Sequence, residues 1–346
     1  MASAAIASLG RRLDSRSSAL NWRAAYFGCG LAVAFLSLFT PFAVKLSGIF
    51  LTMCITIVSA WFFAAFLLWL ATERPADPLR QIRLRWRAAV GTAVDRSLLF
   101  LTIPLFWSVF APVKAAIPAF AGFWADDGLA DLDRLIFLGT DPYTLTHAVF
   151  GDSATRAIDV LYASWILVIL MTALLVAMVG DERARARFYV GWGLIWLVLG
   201  VGGAFALGSA GPIFAGKLGL GFEPLLFRLE SLHETQPLIA IAARDALWMT
   251  YMSGDISIGN GISAAPSLHC AIAFFLALFA RGTRMFPFAL AYAVITWIGS
   301  VHLGWHYFVD GLISLVGVLA LWPLVIRIAD GRSPEPAHGI RGPSHA

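Results

Sequence analysis

Between residues 25 and 328 the chain is a succession of apolar stretches, most of them about as long as a bilayer core is thick. About 20 apolar residues cross that core as a helix. Lipid offers no partner to a backbone polar group, so such stretches fold as helices that satisfy their own N–H and C=O groups. The pattern predicts eight spans, at 25–43, 47–71, 97–117, 158–179, 188–209, 265–281, 285–303 and 306–328. Charged residues make up 13% of the 346 and apolar ones 59%, with a mean hydropathy of +0.78. A soluble domain carries about 25% charged residues. The expected fold class is an all-α polytopic membrane helical bundle with about eight transmembrane helices.

The arginines orient this set. Arg11, Arg12, Arg16 and Arg23 precede the first span, and Arg74, Arg80, Arg83, Arg85, Arg87 and Arg96 follow the second. Arg183, Arg185 and Arg187 follow the fourth, Arg281 and Arg284 the sixth, and Arg327, Arg332 and Arg341 the eighth. Cytoplasmic loops collect Arg and Lys, so both termini are expected in the cytoplasm. The heads of the sixth and eighth spans then face the periplasm or a lumen; a bacterial inner membrane is the expected setting.

Four regions follow: a basic tail (1–24), an N-terminal helix hairpin with a basic loop (25–96), a membrane domain (97–328) and a polar tail (329–346). No removable signal peptide is expected. Two outer segments, 118–157 and 210–264, exceed the length of a simple turn. Their apolar content predicts interfacial helices that cap a site, at Leu225–Leu232 and Pro237–Met252 in the second. Asp126, Asp127, Asp131 and Asp133 read as a solvated loop face, and Trp22, Trp124 and Trp165 as interfacial anchors. Glycines 193, 200, 202 and 203 suit close helix packing, and Pro104 and Pro112 suit kinks. Cys29, Cys54 and Cys270 sit in apolar segments and read as small core residues. The net charge of +4 forms no basic stripe with interleaved aromatics, so no nucleic-acid partner is expected.

Chemistry concentrates in two strings, Ala265-Pro266-Ser267-Leu268-His269 and His302-Leu303-Gly304-Trp305-His306-Tyr307-Phe308-Val309-Asp310. Ionisable groups at a membrane segment are costly and default to a functional reading. His306 and Asp310 are four residues apart and share one helix face. A carboxylate on one imidazole nitrogen fixes the tautomer and leaves the other nitrogen free to attack. Neutral imidazole is a competent nucleophile toward phosphorus. His269 can protonate a departing alkoxide and then deprotonate an incoming hydroxyl. Amides near Ser267 would open a helix N-terminus, which suits an anion. His302 reads as a neighbour that lines the site or binds a headgroup. His302, His306 and Asp310 lack the further ligands a metal needs, so neither a metal nor another cofactor is expected. His147 and His233 read as surface loop residues, His338 and His345 as parts of a polar tail.

Pro266-Ser267-Leu268-His269 with His306-Tyr307-Phe308-Val309-Asp310 resembles the type 2 phosphatidic acid phosphatase superfamily, and within it the inositolphosphorylceramide synthase branch. The resemblance implies a six-helix core from the last six spans, 97–328, with two helices added in front. It also implies a site on the outer leaflet, with His306 as nucleophile, His269 as acid and base, and Asp310 as the partner of His306. The superfamily's phosphatases carry Lys, six residues, then Arg-Pro; nothing here matches. Their third motif has an Arg six residues before its His, where this chain has Ser300. Two phosphate-binding cations are thus missing. Lys217 and Arg244, in the second capping segment with Arg228, are the expected replacements.

The activity expected is lipid phosphotransfer through a phosphohistidine, from a lipid phosphate donor to an alcohol or lipid acceptor. A lipid phosphate or polyprenyl pyrophosphate phosphatase would use the same residues with water as acceptor. From another class, a transporter or scaffold could retain the bundle, but paired interrupted helices and inverted repeats are not evident.

Overall fold

A computed structural model describes residues 22–46, 48–75, 77–254 and 261–331, with backbone alone for 79 and 82–89. Most of the basic tail, nearly all of the polar tail with His338 and His345, and part of the second capping segment lie outside the described residues. Among those described the regular elements are all helical.

The chain opens with α1, helical over 22–37. It is followed by α2 (Gly48–Glu73) and α3 (Pro78–Ala121), which runs through Pro104, Pro112 and Pro118. Three shorter helices, α4 (Asp126–Ile136), α5 (Pro142–Val149) and α6 (Asp152–Ala163), lead into α7 (Trp165–Val179). Helix α8 (Glu182–Leu197) continues through a π-helical turn, Val198–Gly203, to Ala206. The second outer segment holds α9 (Glu223–Thr235) and α10 (Ile239–Ser253). The last three are α11 (Leu268–Phe279), α12 (Phe286–His302) and α13 (Phe308–Asp330).

Eight spans are expected from the sequence. Four described helices are long and apolar enough to cross a membrane, or five if α6 and α7, bent by 40°, form one broken span. The difference lies at α1, α11 and α12, each under 18 residues long. Helices α11 and α12 have 12 and 17 residues, about 18 and 26 Å of rise; residues 265–267 ahead of α11 form its cap, and residues 303–307 beyond α12 form the turn that carries His306. Both remain packed: α11 lies against α12, α13 and α8, and α8 against α13.

One end of the bundle is tied by charge. Arg23 grips Asp95 through two contacts of 2.9 and 3.0 Å. Arg183 and Arg187 converge on Asp330 at the end of α13. Trp22, expected at an interface, is instead buried and donates to Glu182 at 2.9 Å. Its indole fills a gap between helices that a smaller residue would leave open. The His306 end of α13 is one helix length away, about 34 Å for 23 residues. The basic ends and the histidine strings therefore sit at opposite poles. The core between them is aromatic, with Phe106, Trp107 and Phe110 of α3 packed on Trp192 and Trp196 of α8. Gly193 admits Tyr26 and Cys29, and Gly200 admits Leu268. All three cysteines are buried and free.

Helix α4 is amphipathic in reverse. Asp126, Leu129, Ala130 and Asp133, spaced i, i+3, i+4, i+7, form its buried face. Leu132, Leu135 and Ile136 point outward, with Leu135 74% exposed. The solvated reading of Asp126 and Asp133 is thus overturned, while Asp127 and Asp131 are exposed. An outward apolar face suits a lipid surface, and the inward carboxylates meet backbone donors that nothing else would satisfy.

Candidate active site

Ser267 caps α11: its hydroxyl accepts from the Cys270 amide at 3.3 Å. That places His269 in the first turn, with its imidazole held between Tyr162 (ring centroids 4.6 Å apart, stacked) and Trp165 (4.5 Å). Trp165, expected at an interface, is therefore part of the site wall; stacking on an imidazole uses its face rather than an interfacial N–H. The Ser314 hydroxyl on α13 donates to the Ser267 carbonyl at 2.9 Å, so the heads of α11 and α13 are joined directly.

His306 precedes α13. Its backbone amide donates to the Ser300 carbonyl at 3.1 Å. Its Nδ1 lies 3.3 Å from Asp310 Oδ2, close enough for an ion pair but short of hydrogen-bond alignment. Catalytic contacts are often loose without substrate and tighten in the complex. Asp310 is fully buried and also accepts from the Tyr307 amide at 3.1 Å. The rings of His269 and His306 face each other with centroids 5.7 Å apart.

Both histidines line a cavity of about 440 Å³. Its walls are largely apolar and aromatic, from Phe50, Trp107, Phe110 and Trp196 to a row of alanines on α10. Asp159 stands in the wall, but its two oxygens accept from Ile239 and Ala240 at 2.6 and 2.9 Å and so cap α10.

Four expected ligand-binding residues are placed elsewhere. Ser267 is fully buried with its hydroxyl spent on the helix cap. His302 is fully buried, and its two ring nitrogens meet Thr155 (2.9 Å) and Thr146 (3.0 Å). It turns away from His306 because those threonines satisfy it within α5 and α6. Its neighbour His147 is also no surface residue: Nε2 contacts the His302 carbonyl at 2.8 Å. Arg244 is clamped by Glu230 at 2.6 Å and Asp245 at 2.9 Å, which ties α9 to α10. Lys217 lies over Trp248 and 3.9 Å from Asp245. Neither cation lines the cavity; each is held by a carboxylate of the capping helices.

The cavity does contain Lys114, from the outer half of α3. The motifs of the sequence give it no role. The available signal was its position inside an apolar span, where an ionisable group calls for a reason.

The elbow that carries His306 is fixed from below by α4. Asp126 accepts from Ala210 (2.9 Å), Gly211 (2.9 Å), Ser209 (3.2 Å) and the Tyr307 hydroxyl (3.0 Å). Asp133 accepts from the first amides of α13, Phe308 at 2.7 Å and Val309 at 2.9 Å. Gly211 has φ +89, and a Cβ there would lie 2.4 Å from the Trp305 carbonyl oxygen; only glycine lets the 209–213 loop meet the elbow so closely.

Burial pushes the Asp133 carboxyl up to about 6, opposed by its two amide donors and helped by Asp310 and Asp141. A carboxyl raised above its unfolded value of about 3.9 binds more protons folded than unfolded. Its contribution is fully present below that unfolded value and is lost as pH rises through about 6. Asp133→Asn is therefore expected to remove a downward slope of stability between about pH 4 and 6, read from thermal unfolding of the two proteins across that range. Parallel curves for wild type and variant would show that Asp133 does not titrate there.

The family model of the PAP2 superfamily matches residues 127–324. No curated protein and no solved structure gives a significant match.

Proposed function

This chain belongs to the PAP2 superfamily, and on that premise we propose that it is a membrane lipid phosphotransferase working through a phosphohistidine. The observation that carries the reading is the pair His269 and His306, 5.7 Å apart in the wall of one largely apolar cavity. His306 attacks phosphorus of the lipid donor, forming an N–P bond as the P–O bond to the leaving alcohol breaks. His269 gives that alkoxide its proton. An acceptor alcohol then enters, His269 takes its proton, and the new alkoxide attacks phosphorus and releases His306. Asp310 holds the His306 ring and offsets the positive charge it gains.

The largely apolar and aromatic walls favour an alcohol acceptor over water. The proposed orientation keeps the arginine-rich pole in the cytoplasm and the site on the periplasmic or lumenal face. The inositolphosphorylceramide synthase branch is the proposed affiliation, on the Pro-Ser-Leu-His and His-Tyr-x-x-Asp strings. Purified protein in mixed-lipid vesicles is expected to yield a new phospholipid or phosphosphingolipid by mass spectrometry, together with the donor's free alcohol. Release of inorganic phosphate with no new lipid would replace this reading with a lipid phosphatase on the same residues.

A further inference from the structure

We propose that Lys114 is the cation that binds the phosphoryl group in this site, in place of the basic residues the phosphatase motifs would supply. The inference rests on the phosphotransfer reading above. A transferring phosphoryl group is stabilised almost wholly by electrostatics, so a cation must face it. Arg156, whose buried Nη1 has no hydrogen-bond partner, does not line the cavity, and most of the other candidate cations at this end are spent. Arg244 and Lys217 serve Glu230 and Asp245. Arg228 reaches the carbonyls of His147 and Phe150 and lies 3.6 Å from Asp152. Arg134 is held by Asp131 and Asp141.

Lys114 differs in both place and state. Among the described residues it is the cation in the cavity wall, and it shares that wall with His269 and His306. It is half-buried, and no carboxylate among the described residues lies within ion-pair distance of it. The carboxylate in the wall, Asp159, is committed to the amides of α10. An ammonium on a largely apolar wall with no carboxylate beside it is poised to pair with a bound anion, and a phosphoryl group would supply that charge.

The backbone is also built around this position. Gly261 has φ +108, and a Cβ there would lie 2.8 Å from both the carbonyl carbon and oxygen of Lys114. Glycine thus lets the extended segment leading to Pro266 and His269 lie against α3 at Lys114 itself. Ala264 continues that segment, donating to the Ser209 carbonyl at 2.8 Å. Lys114 belongs to α3, which precedes the matched residues 127–324. The matched region would then supply the nucleophile and acid, and the preceding helix the charge.

The test uses full-length protein in detergent and orthovanadate, a phosphate analogue, followed by titration calorimetry. Wild type is expected to bind vanadate saturably. Lys114→Gln is expected to weaken binding by about 100-fold, the usual scale for truncating one partner of a buried charge pair. Lys114→Arg, which keeps the charge, is expected to stay within about 10-fold. Wild-type affinity in Lys114→Gln, with binding lost in His306→Ala, would overturn the role of Lys114 and leave the histidine site standing. Wild-type affinity in both, or no saturable binding by wild type, would overturn this inference together with the reading it rests on. A Lys114→Gln protein that unfolds leaves Lys114→Arg to decide: a loss as deep as 100-fold in a folded Lys114→Arg protein would also count against a charge-based role.

Discussion

His306→Ala is expected to lower lipid phosphotransfer by about 10⁴-fold or more, since removing the nucleophile of a covalent mechanism costs on that scale. The protein should still fold. The backbone amide of residue 306 keeps its bond to the Ser300 carbonyl, and the lost ring makes no aligned hydrogen bond that packing depends on. The damage to stability comes from Asp310, left fully buried with the Tyr307 amide as its remaining donor. His306→Ala with Asp310→Asn should therefore be no less active than His306→Ala alone, because groups that act as a unit are not additive. It should also be more stable, since the uncompensated charge is gone. His269→Ala is expected to differ in kind. Its loss leaves the nucleophile but not the proton transfer, worth about 10² to 10⁴, so an acid-labile phosphoenzyme should still form with a good leaving group. Rapid-quench labelling with a phosphorus-labelled donor separates the two variants. Near-normal turnover by a folded His306→Ala protein would end the phosphohistidine mechanism.

The helical class and the two histidine strings were legible because each is a local signal. Apolar length reports a helix without reference to its neighbours, and the His306 and Asp310 spacing reports one helix face. Helix length was less legible at α11, where residues 265–267 of the apolar run fold as the cap of the helix. The places of Lys217 and Arg244 were hidden for a related reason. Lys217 and Arg244 stand in a segment that composition marks as a cap; Glu230 meets Arg244 only once α9 and α10 pack, and Asp245 meets Lys217 only once the turn at 215–218 folds against α10. The α4 acids were read as solvated from charge alone. Their i, i+7 spacing was visible, but not the two backbone amides of α13 that make Asp133 an inward residue. What sequence concealed was partnership across distant segments: Asp126 with residues 209–211 and 307, Asp133 with 308 and 309.

That partnership sets the second large effect. Asp126→Ala is expected to destabilise the protein by about 3–5 kcal/mol, because it orphans two amides and two hydroxyls and each buried donor left unmade costs about 1–3 kcal/mol. Relief of the carboxylate's own burial, which pushes its carboxyl up, offsets part of that sum. Asp126→Asn should recover little, since its NH₂ would face donors. Asp127→Ala, one residue on and exposed, is the control and should shift stability by no more than about 0.5 kcal/mol. Thermal unfolding in detergent reads both. Turnover should also fall in Asp126→Ala at temperatures where the protein remains folded. The Tyr307 hydroxyl is tethered by Asp126 at 3.0 Å, and Tyr307 adjoins His306, the proposed nucleophile. Gly211, held by the same carboxylate at 2.9 Å, abuts the Trp305 carbonyl on its other side. Loosening both sides of His306 shifts its ring relative to His269, and a displacement of about 1 Å is enough to cost about 10²-fold in rate. Equal unfolding temperatures and equal rates for Asp126→Ala and Asp127→Ala would mean that α4 merely covers the elbow and does not hold it.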